Sequence, residues 1–134
     1  MRRLLAMLLL LPLLLVAGCS DSGSALSRAE STGILTVGVV DNPPRAVPED
    51  DGDVSGSDAD LISGYADSIG AHPSWQVGEL DALAAAVERG EIDVIIGADG
   101  ATDDLLATAD PVVLVGEGEQ PLKKSLDAWL ADRG

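Results

Sequence analysis

Apolar positions from Ile34 onward alternate between two kinds of pattern. Ile34 to Val40 is rich in β-branched residues and lacks polar alternation, as expected of a strand covered on both faces. Ala59, Leu61, Ile62, Tyr65, Ala66 and Ile69 then recur at helical spacing, with Ser57 or Asp58 placed to cap the helix and Gly70 to end it. Trp75 to Val77 predicts a short strand. Leu80, Leu83, Ala84 and Val87 mark a second amphipathic helix closed by Gly90, and Ile92 to Ile96 another apolar strand. Val112 to Val115 predicts a further strand, and Leu122, Leu126, Trp129 and Leu130 share one face of a closing helix. Between Ile96 and Val112 only a short helical or irregular piece is expected, which suits an antiparallel edge position for the last strand. This βαβαβ order implies an α/β domain over residues 34–134, with a mostly parallel sheet and helices on its faces.

The residues ahead of the domain read differently. Arg2 and Arg3 precede the apolar run Leu4 to Val16, which is interrupted by Pro12 and falls short of the roughly 20 residues that span a bilayer. Residues 1–18 therefore read as an export signal that is cleaved, not as a permanent transmembrane helix. Residues 19–33 open Ser-Asp-Ser-Gly-Ser-Ala after Cys19, have little apolar content and read as a flexible tether. Cys19 is the only cysteine, so an intramolecular disulfide is excluded and a lone thiol in an exported chain needs another use.

The formal net charge is −15. Removal of residues 1–18 takes away Arg2 and Arg3 and no acid, leaving 8 − 2 = 6 basic against 23 acidic residues, or −17. Such a field disfavours nucleic acid and favours cationic solutes or basic partner surfaces. Part of the charge is clustered. Asp51, Asp53 and Ser55 echo the opening of a calcium loop, but the position that needs a bidentate Glu is Ile62, so the stretch reads as a solvated turn. Asp99, Asp103 and Asp104 follow the third strand and could share a crevice edge with Asp41, since open α/β sheets present ligands at the C-terminal ends of their strands. The simpler reading is that Thr102 or Asp103 caps a short helix. His72 sits beside Pro73 in a turn, with no nucleophile to serve, and Trp75 and Trp129 fall at core positions. A phosphoacceptor receiver would need an aspartate at the end of the third strand, where Gly97 and Ala98 stand. No His/Cys metal cluster and no Gly-rich phosphate loop occurs, so neither enzymatic activity, nor a cofactor, nor a bound metal is expected.

Two resemblances sharpen this picture. Val16-Ala17-Gly18-Cys19 resembles the lipobox of bacterial lipoproteins, which implies cleavage before Cys19, lipidation of that residue with diacylglyceryl and palmitate, and a location on the extracytoplasmic face of the cell membrane. Leu35-Thr36-Val37-Gly38-Val39 with Asn42-Pro43-Pro44, Gly56 to Leu61, Leu83 through Gly90 to Gly97, and Asp110-Pro111 together resemble the first lobe of bacterial extracellular solute-binding proteins of family 3. That likeness implies a three-layer single lobe of a periplasmic-binding-protein-like fold, from receptors that deliver polar amino acids to ABC importers. It also implies ligand contacts at Asp41, Asn42, Arg45, Ser57, Asp99 and Thr102.

The chain departs from the family at the positions that hold solute. An aromatic residue is usual where Arg45 stands, a phenylalanine where Ser57 stands, and a carboxylate-gripping arginine where Leu105 follows Thr102-Asp103-Asp104. Family members also have a second lobe, which the length of this chain does not accommodate. The expectation is a lipid-anchored solute-binding-like protein, accessory to an ABC importer and taking a small polar or cationic solute. The competing expectation is a non-transport lipoprotein that docks a permease or other envelope protein through its acidic face or open crevice.

Overall fold

Strand β1, Ile34–Val39, is an internal strand of the main sheet. Leu35, Val37 and Val39 are fully buried, as a continuous apolar run requires. The structure, a computed structural model, describes residues 24–109 and 111–133. After β1 the chain makes a short hairpin, β2 (Val47–Pro48) with β3 (Val54–Ser55), and enters helix α2, Ser57–Ser68. It returns as β4, His72–Val77, which lies parallel to β1 along its whole length, from Ile34 opposite His72 to Val39 opposite Val77. Helix α3, Leu80–Glu88, then leads to β5, Val94–Ile96, which is parallel to β1 on its other side.

The helices cover both faces. Ile62 and Tyr65 of α2 pack on one face of the sheet against Val37, Val39, Val94 and Ile96. Leu83 and Val87 of α3 pack on the other, against Ile92 and Ile95. Gly38 makes that second contact possible, because a Cβ there would sit 3.2 Å from Leu83 Cδ2 and 3.3 Å from Ile95 Cγ1.

Beyond β5 the structure departs from the sequence-based expectation. The last strand, β7 (Leu114–Gly116), is antiparallel to β5, but it is internal: β6, Leu105–Ala107, pairs with it on the far side. The order β4-β1-β5-β7-β6 makes β6 the antiparallel edge. Thr102 and Asp103 cap no helix. Leu-Leu-Ala has no β-branched residue and takes strand form because the hairpin holds it: Thr108 N–H donates to Val113 O at 3.0 Å, and Val113 N–H to Thr108 Oγ1 at 2.9 Å.

The predicted tether is also corrected over part of its length. Ala25–Thr32 is helix α1, which buries Ala25 and Ala29 and packs Leu26 partly against the same core. Ser24 Oγ caps it, accepting from Ser27 N–H at 3.2 Å, and Gly33 ends it at φ +77°. Long-range contacts fix its place. The Glu119 carboxylate accepts from Ala25 N–H at 3.0 Å, and Arg28 pairs with Asp93 at 3.1 Å. The signal run and Cys19 lie outside the described residues.

Smaller corrections follow the same logic. His72 opens β4 and is exposed, where a turn was expected. Gly56, not Ser57 or Asp58, is the N-cap of α2, and no side chain caps it. Helix α4, Gln120–Arg133, buries Leu122 and Leu126 against the α2 face as expected. Trp75 and Trp129 are partly buried against that core, and Trp129 meets the Tyr65 ring edge-on at 5.8 Å. Among the described residues no helix is long and apolar enough to cross a membrane.

Two measurements test this architecture. Gly97 leaves β5 at φ +88°, and a Cβ there would lie 2.1 Å from Val40 O, whereas nothing lies within 4 Å of one at Gly100. Gly97→Ala should cost at least about 2 kcal/mol in denaturant unfolding, and Gly100→Ala no more than about 0.5. Tyr65 is the only tyrosine, so its titration at 295 nm is unambiguous. Burial pushes its phenol up, aided by the charge of Glu30 and opposed by the Ser125 hydroxyl. The folded state then prefers the neutral phenol, so this contribution is present below about pH 10 and lost as pH rises through the raised value. The titration midpoint should exceed about 10 in the folded protein and return there in denaturant. Tyr65→Phe should flatten that alkaline loss and, without the 2.8 Å bond to Ser125 Oγ, cost about 1 kcal/mol at neutral pH.

Candidate functional site

The C-terminal ends of β1 and β5 are joined by Val40 N–H donating to Ile96 O at 3.0 Å. From there residues 42–46 form a tight turn. Asn42 N–H donates to Ala46 O at 2.8 Å, while Arg45 and Ala46 N–H both return to Asn42 O at 2.9 Å; the Pro43–Pro44 bond inside the turn is cis. The start of α2 is bound to this turn by Asp58 N–H, which donates to Arg45 O at 2.8 Å. That approach requires Gly56, at φ +112°, because a Cβ there would lie 2.4 Å from Arg45 O.

Side chains then converge on the rim. Arg45 Nη2 donates to Asp58 Oδ2 at 2.7 Å and Nη1 to Ala98 O at 3.1 Å, with Asp99 Oδ1 3.6 Å from Nη1. Asp58 is 3% exposed, and its Oδ2 also accepts from Gly97 N–H at 3.2 Å. Asn42 Nδ2 bridges Gly97 O at 2.7 Å and Asp99 Oδ1 at 2.9 Å. Asp99 is otherwise open to solvent, with its side chain 91% exposed.

Of the six residues expected to touch ligand, three meet here: Asn42, Arg45 and Asp99. Asp41 and Ser57 are exposed beside the cluster in sequence. Thr102 takes no part, and its buried Oγ1 has no hydrogen-bond partner among the described residues. Asp103 and Asp104 do not share the rim either. The register places Leu105 opposite Gly116, beyond the Val115 that faces Val94, so the chain has already crossed to the N-terminal end of β5. Leu105, where the family resemblance implies an arginine, is 4% exposed and packs in the α3-side core.

Asp58 is the member that sequence reasoning missed by treating it as a cap. The signal was available: Asp58, Ile62, Tyr65 and Ala66 stand at spacings of four, three and one, so the acid falls on the buried stripe of its own helix. An acid there needs a cation or several donors.

The other acidic stretch forms no site. In the β2–β3 hairpin, Asp51 Oδ1 accepts from Asp53 N–H at 3.0 Å and Glu49 Oε2 from Ser55 Oγ at 2.8 Å, so its side chains close the turn. Among the described residues no group of three or more His, Cys, Asp or Glu side chains is placed to hold a metal. A groove of about 800 Å³ lies at the opposite end of the sheet, between Ser24, Gly90, Asp104, Gly116 and Pro121. Three of the charged groups at that groove have partners: Arg28 with Asp93, Arg89 with Glu91, Glu119 with Ala25 N–H.

Comparison with known proteins places the architecture. The arginine-bound form of domain 1 from TmArgBP, of T. maritima, matches with a TM-score of 0.69 at 21% identity over 78% of this chain and 97% of that one. A point mutant of the same domain gives 0.71 at 22%, over 81% and 97%. At these identities the likeness is one of fold. A truncated arginine-bound ArgBP from T. maritima matches at 26% identity and TM-score 0.56, over 62% of this chain and 42% of that one. An ABC uptake transporter substrate binding protein from Streptococcus pneumoniae with bound histidine matches at 27% and 0.56, over 65% and 37%. The chain thus spans less than half of these longer relatives and corresponds to a single lobe. No curated protein matches it in sequence. The family model for bacterial extracellular solute-binding proteins, family 3, matches residues 35–111, more than half of the chain, and the chain belongs to that family.

Proposed function

We propose that this protein is a lipid-anchored, extracytoplasmic solute-binding protein, accessory to an ABC importer, whose crevice favours a small cation over an α-amino acid. The observation that carries this reading is the composition of the rim. Carboxylates of Asp58 and Asp99 and the carbonyl of Ala98 converge at the C-terminal ends of β1 and β5, while Leu105, in the position implied for a carboxylate-binding arginine, is turned into the core. A site with acceptors and without that arginine suits an amine or guanidinium and does not grip a free carboxylate. The longer relatives bound to arginine and to histidine hold α-amino acids with nitrogen-rich side chains, so they support a basic group in the solute, while the preference against a free carboxylate rests on the rim alone. Family membership supports an extracytoplasmic setting. The Val-Ala-Gly-Cys segment supports an anchor at Cys19, a short distance ahead of helix α1.

A second reading draws on Val77, which is 55% exposed at the C-terminal end of β4, the same end of the sheet as the rim. An open crevice flanked by an apolar residue also suits a docked envelope protein, such as a permease.

Two experiments follow. Cys19→Ala should move the exported protein from the membrane fraction to the soluble fraction; retention in the membrane would refute the anchor. Protein purified from membranes in detergent should melt about 1–2 °C higher in about 10 mM spermidine or arginine amide and be unmoved by glutamate or leucine. A flat response to every cation would remove the solute reading and leave the docking one.

A further inference from the structure

We propose that Arg45 is an intramolecular occupant of a guanidinium site, and that it closes the crevice by filling it. The inference rests on the reading of this rim as the solute site and adds the chemistry of what the rim holds. The guanidinium uses both of its terminal nitrogens, Nη2 on Asp58 Oδ2 at 2.7 Å and Nη1 on Ala98 O at 3.1 Å with Asp99 Oδ1 at 3.6 Å. A planar fork meeting a carboxylate on one prong and a carbonyl on the other is recognition by shape, which a spherical ammonium does not reproduce.

The receptor side of this contact is built without Arg45. Asp58 Oδ2 is positioned by Gly97 N–H, Asp99 Oδ1 by Asn42 Nδ2, and Ala98 follows the obligatory turn at Gly97. The ligand side is equally independent. Residues 42–46 are held by their own backbone hydrogen bonds and by Asp58 N–H on Arg45 O, none of which uses the Arg45 side chain. Removing that side chain leaves both the acceptors and the loop in place. It uncovers the Asp58 carboxylate, 3% exposed while the guanidinium lies on it, toward the space the guanidinium filled.

An occupant tethered through its own backbone competes at a high effective concentration, of the order of millimolar or above. A free solute therefore binds the intact protein weakly, and the binding strengthens when Arg45 is removed. The Arg45 side chain is 29% exposed, so the contact can open without unfolding the sheet beneath it.

The test compares the full chain, Arg45→Ala and the double variant Arg45→Ala/Asp58→Asn, purified from membranes in detergent, with methylguanidinium, methylammonium and sodium chloride at equal ionic strength. Arg45→Ala should gain about 4 °C in melting temperature in about 10 mM methylguanidinium, with no more than about half of that gain for methylammonium or for the unmodified chain. The double variant should be flat. If Arg45→Ala is unfolded in plain buffer, methylguanidinium should restore its helical circular dichroism. An Arg45→Ala protein that neither gains stability nor refolds, or that responds no more than the unmodified chain, overturns the proposal. The two readings fail separately. Cation binding by the unmodified chain with no gain in Arg45→Ala removes the occupant and keeps the solute site, whereas the reverse keeps the guanidinium site and removes solute binding by the protein as it stands.

Discussion

A carboxylate on the buried stripe of a helix must find donors or give up its charge, and the position of Asp58 on α2 makes that requirement the hub of the upper half of the molecule. Its donors come from two elements. Gly97 N–H belongs to the end of β5, and Arg45 to the turn that follows β1. One oxygen thus ties the first turn of α2 to both of the central parallel strands, while the Asp58 amide adds a backbone bond to the same turn. The glycines at 56 and 97 follow from this closeness, since a Cβ at either would overlap a carbonyl oxygen. Removing the partner of a buried charge costs on the order of 3 kcal/mol where nothing replaces it. The loss is smaller for Asp58, because Gly97 N–H remains and the guanidinium was already partly solvated.

The parts of this fold that were legible in the sequence are those where burial alone dictates residue type. β1 and β5 are covered on both faces and read as unbroken apolar runs, and α2, α3 and α4 each carry a stripe wide enough to register at helical spacing. β6 and α1 are held by particular contacts. β6 exists because a hairpin locked by Thr108 lays it against β7, and α1 because Ala25, Ala29 and Leu26 pack on the core and Glu119 meets the first amide. Neither contact leaves a periodic trace. A stretch of Ser, Gly and Ala reads as a linker until the surface it rests on is known.

The site was legible by position and not by partnership. Strand ends placed Asn42, Arg45 and Asp99 at a crevice, and the absence of an aromatic residue at 45 was plain. What the sequence did not expose was that Arg45 and Asp58 would meet, for two reasons. Asp58 follows a glycine at a helix start, where capping is the ordinary use of an acid, and the turn that swings Arg45 over α2 depends on backbone conformations that residue names do not disclose. The reverse error attached to Asp103 and Asp104. They are near Asp99 in sequence, but the connection to β6 carries them to the other end of the sheet.

These placements bear on how the chain handles charge. With a formal net charge of −15, most acidic side chains are solvated and cost little, whereas those at the strand ends are confined by the fold. The lobe presents that confined pair at the C-terminal ends of its central strands. Asp99 is so exposed that solvent screens it, but Asp58 is covered, and a cation beside it adds to the single Gly97 amide whether or not a solute is present. Arg45 supplies the charge from within the chain. An aromatic residue at the same position would leave the carboxylate to Gly97 N–H alone. The side chain that stands where an aromatic residue would give a stacking surface is therefore the one that meets the Asp58 charge, and the same guanidinium sets the affinity that any outside cation must exceed.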